Sequence, residues 1–286
     1  MKKFGKIMVA VLALACLVGA CFAFTACNKD GKEIVKVINY KLSDENYAFC
    51  VQKGDKEMLN AINGFMEEIK ADGTFNAILD KYFAGGTPTA VTSAPEGTEN
   101  ALIVATNAAF EPFEYIEGNN YYGIDMEIAK LFADSLNKPL VILNLDFEAV
   151  VTTVQNGAAD IGMAGLTVTP GRQEQVDFAE PYYEASQVLI VKADDTTFDA
   201  CENAADVEAI LKSFGKDVTI GYQNGTTGGS YVQGSEDFGF DGLNVEGKGY
   251  KAASLAVQDM INGNINYVIV DQAPALKIVE GINAVA

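Results

Sequence analysis

Gly162-Met163-Ala164-Gly165-Leu166-Thr167-Val168-Thr169-Pro170-Gly171-Arg172 joins the end of an apolar segment to a loop that ends in an arginine. Ile161–Ala164 is short and apolar and reads as a strand running into a loop. The loop carries two hydroxyls, two glycines and one arginine, whose planar guanidinium grips both oxygens of a carboxylate where lysine offers a point charge. By itself an arginine in a loop reads as a surface charge. Its place beyond a strand end makes it a candidate, because ligands of α/β sheets bind in the loops outside the carboxyl ends of strands.

The same alternation continues on both sides. Leu102–Ala105, Leu140–Leu145, Gln187–Lys192, Val218–Tyr222 and Tyr267–Val270 read as strands. Gly123–Asn137, Phe147–Gln155, Asp206–Phe214, Lys251–Asn262 and Gln272–Val279 read as helices. Strands alternating with helices of this length predict parallel sheets covered on both faces. Ahead of them, Ile34–Ile38 reads as a strand, and Asp55 caps a helix with Met58, Leu59, Ile62, Phe65, Met66 and Ile69 at helical spacing. After Asp72-Gly73 a short helix carries Phe75, Ile78, Leu79 and Phe83. These stripes face a core and contain no cofactor box. Residues 85–100 are Gly, Thr, Pro, Ser and Glu without periodicity, a linker whose residues 87–99 reach about 40–45 Å when extended. The alternative is an inter-domain linker behind a small N-terminal domain, but one or two strands and two helices make a poor core.

Lys2, Lys3 and Lys6 precede the apolar run Ile7–Phe24, and Phe24-Thr25-Ala26-Cys27 resembles a lipobox, so residues 1–26 read as an export signal with Cys27 lipidated. Cys21 is the lesser candidate, and an uncleaved transmembrane anchor is the alternative. Residues 27–32 form a polar tether. The chain has 39 acidic and 20 basic residues, a net charge of −19, which argues against a nucleic-acid partner. It has no histidine, which excludes Ser-His-Asp triads, Cys-His dyads and His-ligated metal sites. Beyond the leader and Cys27 only Cys50 and Cys201 remain; they form either a disulfide or two buried thiols.

Four further loops follow strands. Ala105-Thr106-Asn107-Ala108-Ala109-Phe110-Glu111-Pro112-Phe113-Glu114-Tyr115 reads by itself as a Pro-containing turn with core phenylalanines. In Asp146-Phe147-Glu148 the aromatic reads as a staple or core residue at a helix start. Gln223-Asn224-Gly225-Thr226-Thr227-Gly228-Gly229 reads as a Gly-rich turn at a helix start, where free N–H groups attract anions. No Lys-Ser/Thr pair follows, so it is not a phosphate loop. Asp271, closing Tyr267-Val268-Ile269-Val270-Asp271, reads as a helix N-cap.

Taken together and in this order, the motifs from 101 to 284 resemble the polar amino-acid-binding proteins of ABC importers, extracellular solute-binding protein family 3. The resemblance implies an α/β, two-lobed periplasmic-binding-protein-like (type II) fold with the ligand cleft between the lobes. It implies that Asn107 meets the ligand side chain, Phe110 and Phe147 flank the ligand, and Gly165 and Thr167 contact its amino and carboxyl groups. Arg172 then clamps the carboxylate with Thr227, and Asp271 pairs with the ammonium. A buried α-amino acid needs such partners for both charges. Asn107 and Gln223 suggest a polar ligand side chain, and Glu111 a cationic one if it turns inward. Gly171 and Gly229 depart from the family, which commonly carries an acidic and a larger polar residue there.

Leu42-Ser43-Asp44-Glu45-Asn46-Tyr47-Ala48-Phe49, Lys53-Gly54-Asp55-Lys56-Glu57, Asp72-Gly73-Thr74-Phe75 and Lys81-Tyr82-Phe83 resemble the C-terminal end of the same family, yet they come first. The chain therefore reads as circularly permuted. The expected division is lobe 1 at 43–86 and 100–192 with linker 87–99, and lobe 2 at 193–286 with strand 33–42. The implied function is a monomeric, lipid-anchored, extracytoplasmic binding protein without enzyme activity, cofactor or metal. It hands a free amino acid to the permease subunits of an ABC importer. The alternatives are a dehydratase of prephenate-like acids, with Glu111, Glu114 and Glu148 as nominal acids, and a sensing module for a membrane receptor. In a variant of the first reading, residues 33–84 dock onto a neighbouring copy.

Overall fold

The computed structural model describes residues 33–286. The leader, the tether, Cys21 and Cys27 lie outside the described residues.

The chain opens with β1 (Val35–Ile38), β2 (Glu45–Tyr47) and β3 (Cys50–Gln52), then α1 (Lys56–Ala71) and α2 (Thr74–Phe83). β4 (Leu102–Thr106) leads into a small antiparallel sheet of β5 (Ala109–Phe110), β6 (Glu114–Glu117) and β7 (Asn120–Tyr122). Next come α3 (Ile124–Ser135), β8 (Leu140–Asn144), α4 (Phe147–Gln155), β9 (Ile161–Gly162), α5 (Pro170–Gln175), β10 (Val176–Phe178), β11 (Tyr183–Ala185) and β12 (Gln187–Lys192). The remainder holds α6 (Ala204–Ser213), β13 (Thr219–Gln223), α7 (Thr227–Gln233), β14 (Glu246–Tyr250), α8 (Ala253–Ile261), β15 (Tyr267–Asp271) and α9 (Gln272–Ala284).

Two five-stranded sheets organise the molecule, in the orders β10-β3-β9-β4-β8 and β1-β12-β15-β13-β14. The sheets are mixed rather than parallel. β4 pairs in parallel with β8 and β9, and β13 with β14 and β15, as helical crossovers require. β3, β10, β1 and β12 all pair antiparallel. These are the strands next to the two passages between sheets, where the chain crosses without a helix to reverse it. One passage runs from β1 through β2 to β3, the other from β10 through β11 to β12, and β2 pairs antiparallel with β11. β12 lies in the second sheet between β1 and β15, which corrects a first lobe extending to 192. Its buried apolar face suits either sheet, so only its pairing assigns it.

The cap of α1 and the stripes of α1 and α2 follow the sequence, with one exception. The Asp55 side chain accepts from the Met58 N–H at the start of α1, and Ile62, Met66 and Ile69 are buried. In α2 the stripe is completed by Tyr82, while Phe83 is exposed and stacks on Tyr183. Tyr82 can be buried because its hydroxyl donates to Glu127 Oε1 at 2.7 Å and accepts from the Gly123 N–H at 2.9 Å. Gly123, at φ 123°, has no room for a side chain, since a Cβ would lie 2.0 Å from the Phe113 carbonyl oxygen.

The linker between α2 and β4 is pinned along its length. The Thr89 N–H donates to Glu127, Val91 is buried and bridges Tyr121, and Ser93 Oγ accepts from the Ile142 N–H. The two ends of the described chain also meet. Asn283 in α9 accepts from the Ile34 N–H at 2.9 Å and donates to the Val35 carbonyl at 2.9 Å. Cys50 and Cys201 are both free and buried, and burial pushes the Cys50 thiol up to about 12. Among the described residues no helix is long and apolar enough to cross a membrane.

Candidate functional site

Loops from both sheets meet in a tightly closed cleft lined by Phe110, Phe147, Gly165, Thr167, Arg172, Gln223, Thr226, Thr227 and Asp271. Seven of the eight contact residues that the resemblance implies are among them, together with Gln223. The eighth, Asn107, does not line the cleft and is held behind it, accepting from Gln223 Nε2 at 2.9 Å. Each lining residue stands at or just beyond the carboxyl end of a strand or at the helix start that follows.

Arg172 is placed by α5. Thr169 caps that helix, accepting from the Arg172 N–H at 3.1 Å, with Pro170 at the first helical position. The guanidinium donates to the Thr167 carbonyl at 2.7 Å on its own side and to the Gly225 carbonyl at 3.0 Å on the other. Its carbon lies 5.3 Å from the centroid of the Phe147 ring, a cation–π distance. Burial lowers the Arg172 pKa, with Cys50 and Glu45 acting against that fall. A guanidinium has five N–H donors, and these bonds use two of them.

Gly165 takes φ +53°, and a Cβ there would come 3.0 Å from the Phe110 ring, so glycine both permits the turn and admits the aromatic. Its N–H donates to Asp125 Oδ2 at 3.0 Å, and Asp125 Oδ1 accepts from the Tyr182 hydroxyl at 2.6 Å. Burial pushes Asp125 up to about 7. Glu114 beside it is fully buried and held well above the carboxylate range, by burial first and then by Asp125. Glu114 therefore belongs to the packing behind the cleft, and neither Glu111 nor Glu148 lines the cleft.

Asp271 closes β15 at the start of α9, yet its side chain caps nothing. It accepts from the Tyr47 hydroxyl at 2.5 Å. Burial, and after it the Glu45 carboxylate, pushes Asp271 up to about 7. Glu45 is the residue the sequence reading missed. Its Oε2 accepts from Thr167 at 2.8 Å and Thr227 at 2.7 Å, one from each side, while Oε1 accepts from Ser43 and Gln187. Gln187 Nε2 also donates to Thr227 Oγ1 at 3.0 Å, which leaves the Thr227 proton for Glu45. Glu45 gave little signal, since it sits in the polar stretch Ser43-Asp44-Glu45-Asn46 ahead of an apolar run, Tyr47–Val51, too short to show a period.

The departure at Gly171 has a spatial reason. A Cβ there would lie 2.2 Å from Asp237 Oδ2, in the short helical turn Glu236–Phe238 facing α5. The acidic residue common in the family would set carboxylate against carboxylate. At Gly229 a Cβ would press on the Tyr222 ring at 2.9 Å. Among the described residues no cluster of Cys, Asp and Glu is placed to hold a metal ion.

The sequence model of the family described as bacterial extracellular solute-binding proteins, family 3, matches residues 10–85 and 102–273. The arginine-binding extracellular protein ArtP of Bacillus subtilis is 37% identical over 102 residues, 36% of this chain and 40% of that protein. ABC transporter arginine-binding protein 1 of Escherichia coli is 30% identical over 168 residues, 58% of this chain and 61% of that one. The chain thus spans about two fifths to three fifths of these relatives. The solved structure of an ancestral arginine-binding protein bound to arginine superposes with a TM-score of 0.54 at 29% identity, over 64% of this chain and 75% of that one.

Proposed function

Because this chain belongs to the bacterial extracellular solute-binding proteins of family 3, we propose that it captures a polar α-amino acid outside the cytoplasmic membrane and presents it to an ABC-type importer. One observation carries the reading: Arg172 and Asp271, a fixed cation and a carboxylate, face one closed cleft between two aromatic rings. The guanidinium takes the ligand carboxylate and Asp271 its ammonium, with Phe110 and Phe147 on the flanks. A ligand that touches loops of both sheets stabilises the closed arrangement over the open one, and a permease distinguishes the two. The named relatives make arginine the first ligand to try. The lipid anchor at Cys27 and the monomeric state belong to the same proposal.

A screen of thermal unfolding against the twenty amino acids, ornithine and citrulline tests it. A ligand at 100 times its dissociation constant adds about 2.7 kcal/mol, a rise of a few degrees. No rise with any of them would remove the amino-acid reading. A second reading, a dehydratase of prephenate-like acids, is favoured by Asp271, a cleft carboxyl pushed up to about 7, the range a general acid needs. Turnover of prephenate or arogenate by the purified protein decides for it.

We further propose that the chain is a circular permutant of its family. Support comes from the meeting of Ile34 and Val35 with Asn283 and from family matches on both sides of the linker.

A further inference from the structure

Gln223 ends β13 on the cleft wall beside Phe110 and Phe147 and is 2% exposed. Its Nε2 donates to Asn107 Oδ1, and Asn107 Nδ2 donates in turn to the Leu145 carbonyl at 2.6 Å. This relay fixes the orientation of both amides. A backbone carbonyl only accepts, so Asn107 turns its NH2 toward Leu145 and its oxygen toward Gln223. Gln223 must answer with its own NH2. Its Oε1 is then left buried, with no partner among the described residues. A buried acceptor without a donor is costly and uncommon in native proteins. No hydrogen bond of the Gln223 side chain goes to Arg172, Thr167, Thr227 or Asp271, so this acceptor stands apart from the groups assigned to the ligand's α-carboxylate and ammonium.

We propose that Gln223 Oε1, held in place by Asn107, reads the ligand's side chain and selects one that presents an N–H donor, whether or not that donor is charged. The proposal rests on the amino-acid reading above and narrows it. Guanidinium, ureido and carboxamide ends all supply the missing proton. A carboxylate sets acceptor against acceptor, and an apolar end leaves Oε1 buried and bare. Both members of the relay are neutral amides, so the subsite forms a bond without discriminating strongly for charge.

Calorimetric titration of the protein with arginine, citrulline, norleucine and glutamate tests this directly. Citrulline, a neutral near-isostere of arginine, is expected within about tenfold of arginine, because each satisfies the same acceptor. Norleucine and glutamate are expected weaker than citrulline by about tenfold or more, since a site built to bond a donor rejects analogues that lack it. In Gln223→Leu the preference for citrulline over norleucine should shrink to about threefold or less. Norleucine binding as tightly as citrulline overturns the proposal, and so does arginine exceeding citrulline by more than a hundredfold, which would mean charge is read. A Gln223→Leu protein that keeps the preference overturns it as well, and if that variant fails to fold, the four ligands on the parent protein decide alone. Amino acids that bind without donor preference sink this inference only. Binding of none of the four, nor of any amino acid, sinks the reading beneath it.

Discussion

Arg172 donates to carbonyls on both sides of the cleft and lies over Phe147, so it positions the closed loops as well as offering N–H groups to a ligand anion. Arg172→Ala is expected to weaken amino-acid binding about a hundredfold or more, because truncating one partner of a buried charged pair costs about 2–5 kcal/mol. Arg172→Lys should recover only part of this, since the fork is lost; titration calorimetry measures both. Asp271 adds a pH dependence of two opposite signs. Its carboxyl is pushed up to about 7 from 3.8, so pairing with a ligand ammonium requires it to lose a proton at lower pH. Affinity should therefore fall about tenfold per pH unit below 7. In the unliganded protein the raised folded pKa contributes stability that is complete below about 4 and lost as pH rises through 7, and Asp125 adds to the same trend. Between pH 5 and 8 the melting temperature of the free protein should fall while affinity rises. Asp271→Asn should flatten the affinity profile, and a dissociation constant independent of pH in the parent protein would contradict the assignment. The cleft residues were legible only through the family resemblance of their motifs, since each alone reads as a core, capping or surface residue. Glu45 and Tyr47 were not, since their place depends on the passage between sheets that carries them.

At the scale of elements, the parallel strands β4, β8, β9, β13 and β15 could be read from strand–helix alternation, as could the stripe of α1, whereas the polar, glycine-rich β14 could not. What escaped were the three-residue strands β2, β3, β10 and β11. Such strands are too short to show a period, and their pairing is set by partners more than a hundred residues away. The same limit hid the membership of β12. α5 faces the Glu236–Phe238 turn, where Gly171 meets the carboxylate of the exposed Asp237. Gly171→Glu should turn the Asp237 side chain aside and set like charges together, weakening ligand binding by no more than about 1 kcal/mol. Its melting temperature without ligand should stay near the parent value, because the exposed Asp237 side chain can turn away. Unchanged affinity in Gly171→Glu would show that this approach is not needed for closure.

For the whole molecule, the ends that meet at Asn283 and the linker pinned by Glu127, Val91 and Ser93 fit a chain whose family order was cut between 286 and 33 and rejoined through 87–99. A reordered protein, residues 100–286 followed by 33–84, should fold and bind with a dissociation constant within about threefold of the parent, since nearby termini make permutation tolerable. An unfolded reordered chain, beside an independently folded 33–86, would mean that the first segment is a separate domain. The two-lobed architecture was legible through the family resemblance carried by the order of the motifs; the mixed sheets were not, because antiparallel pairing arises at the crossings. The claim on which the rest depends is that the cleft closes on the α-carboxylate and ammonium of one amino acid. Calorimetric titration with arginine, with its decarboxylated analogue agmatine and with Nα-acetylarginine addresses it most directly. The account predicts that both analogues bind at least about a hundredfold more weakly, each leaving a buried charge unpaired. Agmatine or the acetylated form binding as tightly as arginine would contradict it.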